Sequence, residues 1–281
     1  MKQSVMLFVF HGALAEGKLS AEALMSELSR AGIGAVEPMF RFQDAAEPKR
    51  WEALRKGADG VGMTYSCVDI GVNLIGEGEA DRRAGLDVVK RGVEIAASLA
   101  CPTVLVAGSR PAPGMTNQDG RKVLADGLAR AAQDADGTGV TITIEDYGVY
   151  PEFTCASAHV LEVLELSGRA DLKVTFDNGN FLFADEKPSE CLALLADRTV
   201  HVHVKDFVAG DASEPGGLRS LAGAKWVGCD IGEGEAEVAG CLAGLKALRY
   251  DGWLSLEVGT SPALDGALIG ARYVRAAWDR A

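Results

Sequence analysis

The sequence predicts an α/β chain folded as a single (β/α)8 TIM barrel over residues 1–281. Strand-like apolar runs alternate with helix-like amphipathic segments from end to end, in eight units. At about 30 residues per unit they fill the roughly 250 residues that such a barrel uses. Similar runs also end in one chemically loaded residue: 140–144 in Glu145, 173–176 in Asp177 and 253–256 in Glu257, while 200–204 contains His201 and His203. A parallel barrel gathers such strand ends into one cup.

The apolar run at 5–10 is the first strand. Ser20 is placed as an N-cap, followed by the stripe Ala23, Leu24, Leu28 and Ala31, which ends at Gly32. Residues 35–39 form the second strand, 51–56 a short helix and 60–67 the third strand. A long helix at 81–100 carries Leu86, Val89, Val93, Ala96 and Ala97 on one face. Pro102 stops it, and 103–107 is the fourth strand. Asn117 is placed as the cap of a helix to residue 134, and Gly137 and Gly139 turn into the fifth strand, 140–145. A helix from about 154 to 166 leads to the sixth strand at 173–177. A short helix at 189–195 leads to the seventh at 199–205. Residues 208–234 are the longest irregular stretch and carry Arg219 and Trp226, in a loop of the kind that acts as a lid. A helix at 235–248, the eighth strand at 253–257 and a helix at 264–278 complete the pattern. The competing doubly wound sheet calls for a Gly-rich phosphate loop after the first strand. His11-Gly12-Ala13 with Gly17 does not match G-x-G-x-x-G.

Hydrophobic residues make up 48% and charged residues 24%, an ordinary globular balance. No apolar run is long enough to span a bilayer. The run near the start is shorter than the apolar core of a signal peptide and reads as a strand. The net charge of −12, with no Lys/Arg cluster, argues against a nucleic-acid partner. The 6 cysteines form no C-x-x-C pair and read as reduced thiols of a cytoplasmic protein.

Strand residues alternate between barrel interior and helix layer. Glu145, Asp177, His203 and Glu257 come from consecutive strands five to eight, so they can meet on one side of the cup. Converging carboxylates repel one another and shift their pKa values. One divalent metal removes that problem. Three oxygen donors and one imidazole favour Mn2+ or Mg2+, with Co2+ and Zn2+ as alternatives. Taken singly, each carboxylate reads equally as a helix cap or strand-end ion pair, and His203 as a hydrogen-bonded core histidine. Convergence is what favours a site.

His201 faces the same side but deeper, as a structural support or substrate contact. Lys205 continues that face towards the rim, to meet either a substrate oxyanion or a carboxylate. Glu37 on the second strand and His11 at the end of the first are placed as substrate contacts. Asp206 reads as a turn or cap residue, Glu233 and Glu235 as a helix start. Gly228, Gly232 and Gly234 are candidates for backbone amides around a phosphate.

The runs Ile144-Glu145-Asp146, Phe176-Asp177-Asn178-Gly179-Asn180, His201-Val202-His203-Val204-Lys205-Asp206 and Ser255-Leu256-Glu257 resemble the xylose isomerase-like TIM barrels. These include sugar phosphate isomerases/epimerases, ketose 3-epimerases, hydroxypyruvate isomerase and inosose dehydratase. The stretch Gly232 to Glu235, with Leu245 and Tyr250 to Trp253, is similar to the segment leading into their last strand. The resemblance covers most of the chain and is clearest from 140 to 260.

The resemblance implies that Glu145, Asp177, His203 and Glu257 bind one divalent metal, and that Glu145 and Glu257 double as acid/base groups. Many members carry His where this chain has Asn180, which can orient a hydroxyl but cannot carry a proton. Asn178 and Asn180 are therefore assigned to substrate oxygens. The implied activity is a metal-dependent isomerase or epimerase acting on a small carbohydrate or keto compound by proton transfer through an enediolate. The alternative is a dehydratase of the inosose dehydratase type, with His201 or Lys205 as acid. Related endonucleases assemble three zincs and need many more histidines than the 4 present. The resemblance also allows a homo-oligomer and fixes no subunit number.

Overall fold

A computed structural model describes residues 1–40, 47–211, 213 and 216–281. The chain begins with β1 (Lys2–Met6), α1 (His11–Ala15), α2 (Ala21–Arg30), β2 (Ala35–Glu37), β3 (Met39–Phe40) and α3 (Glu47–Gly60). β4 (Thr64–Tyr65), β5 (Val68–Gly71), α4 (Glu79–Ser98), β6 (Thr103–Ala107), α5 (Asn117–Asp134) and β7 (Thr141–Glu145) follow. Then come α6 (Ser157–Ser167), β8 (Lys173–Asp177), α7 (Pro188–Leu195) and β9 (Thr199–Val204). β10 (Phe207–Ala209), β11 (Leu218–Arg219), β12 (Lys225–Gly228), α8 (Val238–Ala247), β13 (Trp253–Leu256) and α9 (Ala263–Arg280) complete it.

The main sheet runs β3-β5-β6-β7-β8-β9-β13-β1-β2-β4, with parallel pairing throughout. Pro38 separates β2 from β3, and Ser66-Cys67 separates β4 from β5. Each couple is one barrel strand in two halves. β2 pairs with β4 and β3 with β5, so the two ends of the sheet meet and the barrel closes. Pro38 contributes no ladder donor, but its carbonyl still accepts from Asp69 N at 2.9 Å. Counted this way, the ten strands of the sheet make the eight of a (β/α)8 barrel.

Alternation explains what the strands bury. Ile142 and Ile144, Val174 and Phe176, Val202 and Val204, and Leu254 and Leu256 belong to the hydrophobic core. The intervening residues are Thr143 and Glu145, Thr175 and Asp177, His201 and His203, and Ser255 and Glu257. One set packs against the helices and the other fills the barrel. Inside, the Thr143 and Thr175 hydroxyls lie 2.8 Å apart. Register aligns Asp177 with His203, and His203 with Ser255. A shift between Val174 and Thr175 sets this level. Small side chains at Ser4, Ala35 and Ser255 leave interior room for the two imidazoles.

Several boundaries differ from the sequence reading. The first strand ends at Met6, and Leu7–Phe10 is a 3-10 turn running into α1. Leu7 and Phe10 are both buried, three residues apart as one face of a tight helix requires. The third strand extends beyond 60–67 to Gly71. Thr116, not Asn117, caps α5, its hydroxyl accepting from Asp119 N at 3.1 Å. Ser20 caps α2 as expected, accepting from Ala23 N. The stretch read as irregular holds a three-stranded antiparallel sheet, β10-β12-β11. α8 starts only at Val238, so Glu233 and Glu235 lie in the turns before it.

Candidate active site at the carboxyl ends of the strands

Glu145 ends β7, Asp177 ends β8, His203 is the penultimate residue of β9 and its last interior position, and Glu257 follows β13. One ligand atom from each lies within 4.8 Å of the others, forming a group that can hold a metal ion. His203 Nδ1 lies 2.8 Å from Glu145 Oε1 and 3.8 Å from both Asp177 Oδ2 and Glu257 Oε2. Asp177 Oδ1 accepts from the amides of Gly179 (2.9 Å) and Asn180 (3.2 Å), so its other oxygen turns to the cluster. Lys205 reaches from the rim, its Nζ 2.7 Å from Asp177 Oδ2 and 3.0 Å from Glu257 Oε2.

A second layer lies beneath. Glu37 is fully buried and bridges both imidazoles, with Oε2 2.8 Å from His201 Nε2 and Oε1 2.9 Å from His203 Nε2. It does not line the cavity, and neither does His201, so the sequence expectation of substrate contacts at these two positions is not met by their placement. Glu37 meets His203 instead, and His201 meets Glu37. Asp69, on β5, sits beside Glu37, and both of its carboxyl oxygens are buried without a hydrogen-bond partner. His11 belongs to α1 and faces a small pocket with Phe40, Trp51 and Leu54, away from the carboxylates. The early end of the first strand moves it there.

Burial and charge set the protonation of the cluster. Burial raises the pKa of Glu37, but the two imidazoles outweigh it and hold the carboxyl well below its usual range. Burial lowers His203, but Glu37 and Glu145 outweigh it and the imidazole ends well above its ordinary value. Burial pushes Asp177 up to about 7; Lys205 opposes this, while Glu257 and Glu145 add to it. Burial raises Glu257, but Lys205 and His203 bring it below the ordinary glutamate value. Burial and the neighbouring Glu37 push Asp69 well above its ordinary value, which favours its protonated form.

The cluster opens into a cavity of about 350 Å3. Asp69, Glu145, Asn180, His203, Lys205 and Glu257 line its polar side. Asn180 is thus placed where a substrate oxygen can reach it, whereas Asn178 is used internally. Asn178 Nδ2 donates to the carbonyls of Lys205 (3.0 Å) and Ala236 (2.8 Å), and its Oδ1 accepts from Lys205 N (3.1 Å). Asp206 organises the following loop. Its carboxylate accepts from the amides of Phe207, Gly232, Gly234 and Ala236, at 2.9–3.0 Å.

Sequence reasoning missed Asp69, whose signal was a single acid inside the apolar run 68–71. It also missed Asp146, a buried carboxylate that accepts from Asp177 N at 2.9 Å and so ties β7 to β8 at the site.

A family model described as xylose isomerase-like TIM barrel matches residues 25–277. The chain is 25% identical over 236 residues to 2-oxo-tetronate isomerase of Pectobacterium atrosepticum, covering 81% of this chain and 82% of that protein. It is 24% identical over 152 residues to inosose dehydratase of Clostridium beijerinckii, covering 53% of this chain but only 50% of the relative. Among solved structures, the probable 3-DHS dehydratase AsbF of Bacillus anthracis superposes with a TM-score of 0.77 at 13% identity, covering 98% and 99% of the two chains. An L-ribulose 3-epimerase gives 0.73 at 17% identity, covering 100% and 95%. A xylose isomerase-like TIM barrel protein from Mycobacterium smegmatis in complex with magnesium gives 0.68 at 14% identity, covering 92% and 88%. These structural likenesses speak for the fold. With the matched family model, they show that this chain belongs to the xylose isomerase-like TIM barrel family.

Proposed function

We propose that the protein is a divalent-metal-dependent isomerase or epimerase of a sugar or sugar-like keto compound. The observation that supports this reading is that Glu145 and Glu257 come within 2.8 and 3.8 Å of His203 Nδ1 and both line one cavity. Glu145, Asp177, His203 and Glu257 would hold one ion, and their three carboxylates and one imidazole suit Mn2+ or Mg2+. When bound, such an ion supplies Lewis acidity to a carbonyl oxygen and its neighbouring hydroxyl.

The protein side chains handle the proton. One of the two glutamates takes it from the carbon next to the carbonyl and the other returns it. Return to the opposite face inverts the centre; return to the neighbouring carbon interconverts aldose and ketose. Glu257, held below its ordinary pKa by Lys205, is ionised and able to accept. Asn180 orients a substrate hydroxyl without taking part in proton transfer. We read the 281 residues as one domain, and the six free thiols are consistent with a reducing compartment such as the cytoplasm. No helix among the described residues is long and apolar enough to cross a membrane.

A second reading is dehydration of a keto-cyclitol or keto-sugar, favoured by Asp69. This carboxyl lines the cavity, and burial beside Glu37 raises it in the direction that an acid assisting a departing hydroxyl requires.

Metal-loaded protein in D2O with a panel of ketoses and inososes tests both readings. Deuterium entering next to the carbonyl, without loss of water, is the expected result. Enone absorbance in place of exchange would select dehydration. Exchange that persists in the Glu145→Ala, Glu257→Ala double variant would refute the acid/base assignment.

A further inference from the structure

Asp69 is an acid in an otherwise apolar strand. Its neighbours Val68 and Ile70 belong to the hydrophobic core, so alternation turns Asp69 into the barrel. Its backbone is tied beside Glu37. Asp69 N donates over 2.9 Å to the carbonyl of Pro38, the residue after Glu37. The side chains meet there as well: an oxygen of Asp69, an oxygen of Glu37 and a nitrogen of His203 all lie within 4.8 Å of one another.

The donors of this region are used by Glu37. It accepts one imidazole N–H at each oxygen, from His201 at 2.8 Å and from His203 at 2.9 Å. Asp69 is 1% exposed, and neither of its oxygens has a donor among the described residues. As an ionised group it would stand unpaired against a second buried carboxylate. One proton between the two acids removes both the repulsion and the missing hydrogen bond. Burial raises Glu37, but the imidazoles outweigh it and keep that carboxylate ionised, while burial and Glu37 itself raise Asp69. Of the two acids, Asp69 is therefore the donor and Glu37 the acceptor.

We propose that Asp69 is a positioning residue for the metal site: its carboxyl group donates a hydrogen bond to Glu37 and completes a chain that runs from Asp69 through Glu37 to His203. Three partners then hold the Glu37 carboxylate in one orientation. Glu37 in turn aims Nδ1 of His203 at Glu145, Asp177 and Glu257. What Asp69 contributes is its hydrogen, not a negative charge. This rests on the reading of His203 as a metal ligand for what the chain serves.

Asparagine has the shape of aspartic acid and donates from Nδ2, so Asp69→Asn preserves such a hydrogen bond. Asp69→Leu fills the space and removes it. Two readouts compare the parent and both variants. One is calorimetric titration with Mn2+. The other is the Nε2 proton of His203 in the 1H–15N spectrum of the metal-free protein. The chain has 4 histidines, and the resonance missing from His203→Gln identifies the one sought. We expect Asp69→Asn to bind Mn2+ within about threefold of the parent and to keep that resonance in place. Asp69→Leu should bind about tenfold or more weakly, with the resonance moved or broadened beyond its line width.

Asp69→Asn as damaging as Asp69→Leu would show that the site uses a negative charge at this position, and would overturn the proposal. So would either readout left unchanged by Asp69→Leu. A second manganese per chain, lost in Asp69→Asn, would put a cation where the proton is placed and overturn it too. Should Asp69→Leu not fold, Asp69→Ala takes its place. A parent protein that binds no Mn2+ would sink the metal reading alone, and the His203 resonance would then decide whether Asp69 holds the chain.

Discussion

The Nε2 atom of His203 donates to Glu37 Oε1 over 2.9 Å, which leaves Nδ1 of the same ring turned to Glu145, Asp177 and Glu257. A carboxylate only accepts, so Glu37 fixes the proton on Nε2 and the lone pair of the neutral ring on Nδ1. The same carboxylate holds His201, so one buried acid orients both imidazoles.

Glu37→Gln removes the charge and replaces one of the two acceptors by an amide N–H. The His203 ring then loses its fixed orientation. We expect metal affinity to fall about tenfold or more, with the barrel still folded. Calorimetric titration with Mn2+ beside a far-UV spectrum checks this. Unchanged affinity would show that Glu37 does not orient His203.

Without metal, the site holds extra protons: His203 titrates well above its ordinary value and Asp177 near 7. A bound ion needs Nδ1 and the Asp177 carboxylate free, so binding must release those protons. Both groups are raised, so the sign is the same for each. Metal affinity is weakest below neutral pH and rises through pH 7, with about one to two protons released per ion. Titrations in buffers of different ionisation enthalpy count these protons. Affinity flat between pH 6 and 8 would contradict the protonation described.

Lys205 has a measurable part in the metal-free protein. Lys205→Met leaves Asp177 and Glu257 together without their ammonium. The metal-free variant should lose about 3 kcal/mol of stability, as expected when one partner of a buried ion pair is removed. Added Mn2+ should restore more stability to the variant than it adds to the parent protein. Thermal melts with and without metal measure the difference. Equal metal-induced shifts would show that the ammonium and the ion do not share these carboxylates.

Asp206 anchors the loop after β9 through four backbone amides. Asp206→Ala leaves those donors without an acceptor and should cost at least about 3 kcal/mol in chemical denaturation. A loss below about 1 kcal/mol would mean that the loop finds other partners.

The barrel was legible because alternation and unit length repeat eight times, so errors at single boundaries do not change the topology. The tetrad was legible because Glu145, Asp177, His203 and Glu257 each sit at or near the end of a distinct apolar run. Glu37 was visible as an interior acid, but its use beneath His203 depends on the level at which β2 meets β9 across the barrel, and no local pattern encodes that. Asp69 was hidden because the third strand is broken at Ser66-Cys67 and resumes beyond its expected end. His11 was misplaced because six apolar residues in a row fit a strand and a 3-10 turn equally well. The role of Asp206 depends on amides about thirty residues downstream, beyond the reach of any window.

Titration of Mn2+ followed by electron paramagnetic resonance tests the metal tetrad most directly, on the parent protein and on Glu145→Gln, Asp177→Asn, His203→Gln and Glu257→Gln. The tetrad requires one bound ion per chain, with affinity weakened at least about tenfold by each of the four changes. No bound manganese, or binding that survives the changes on β7 and β9, would contradict it.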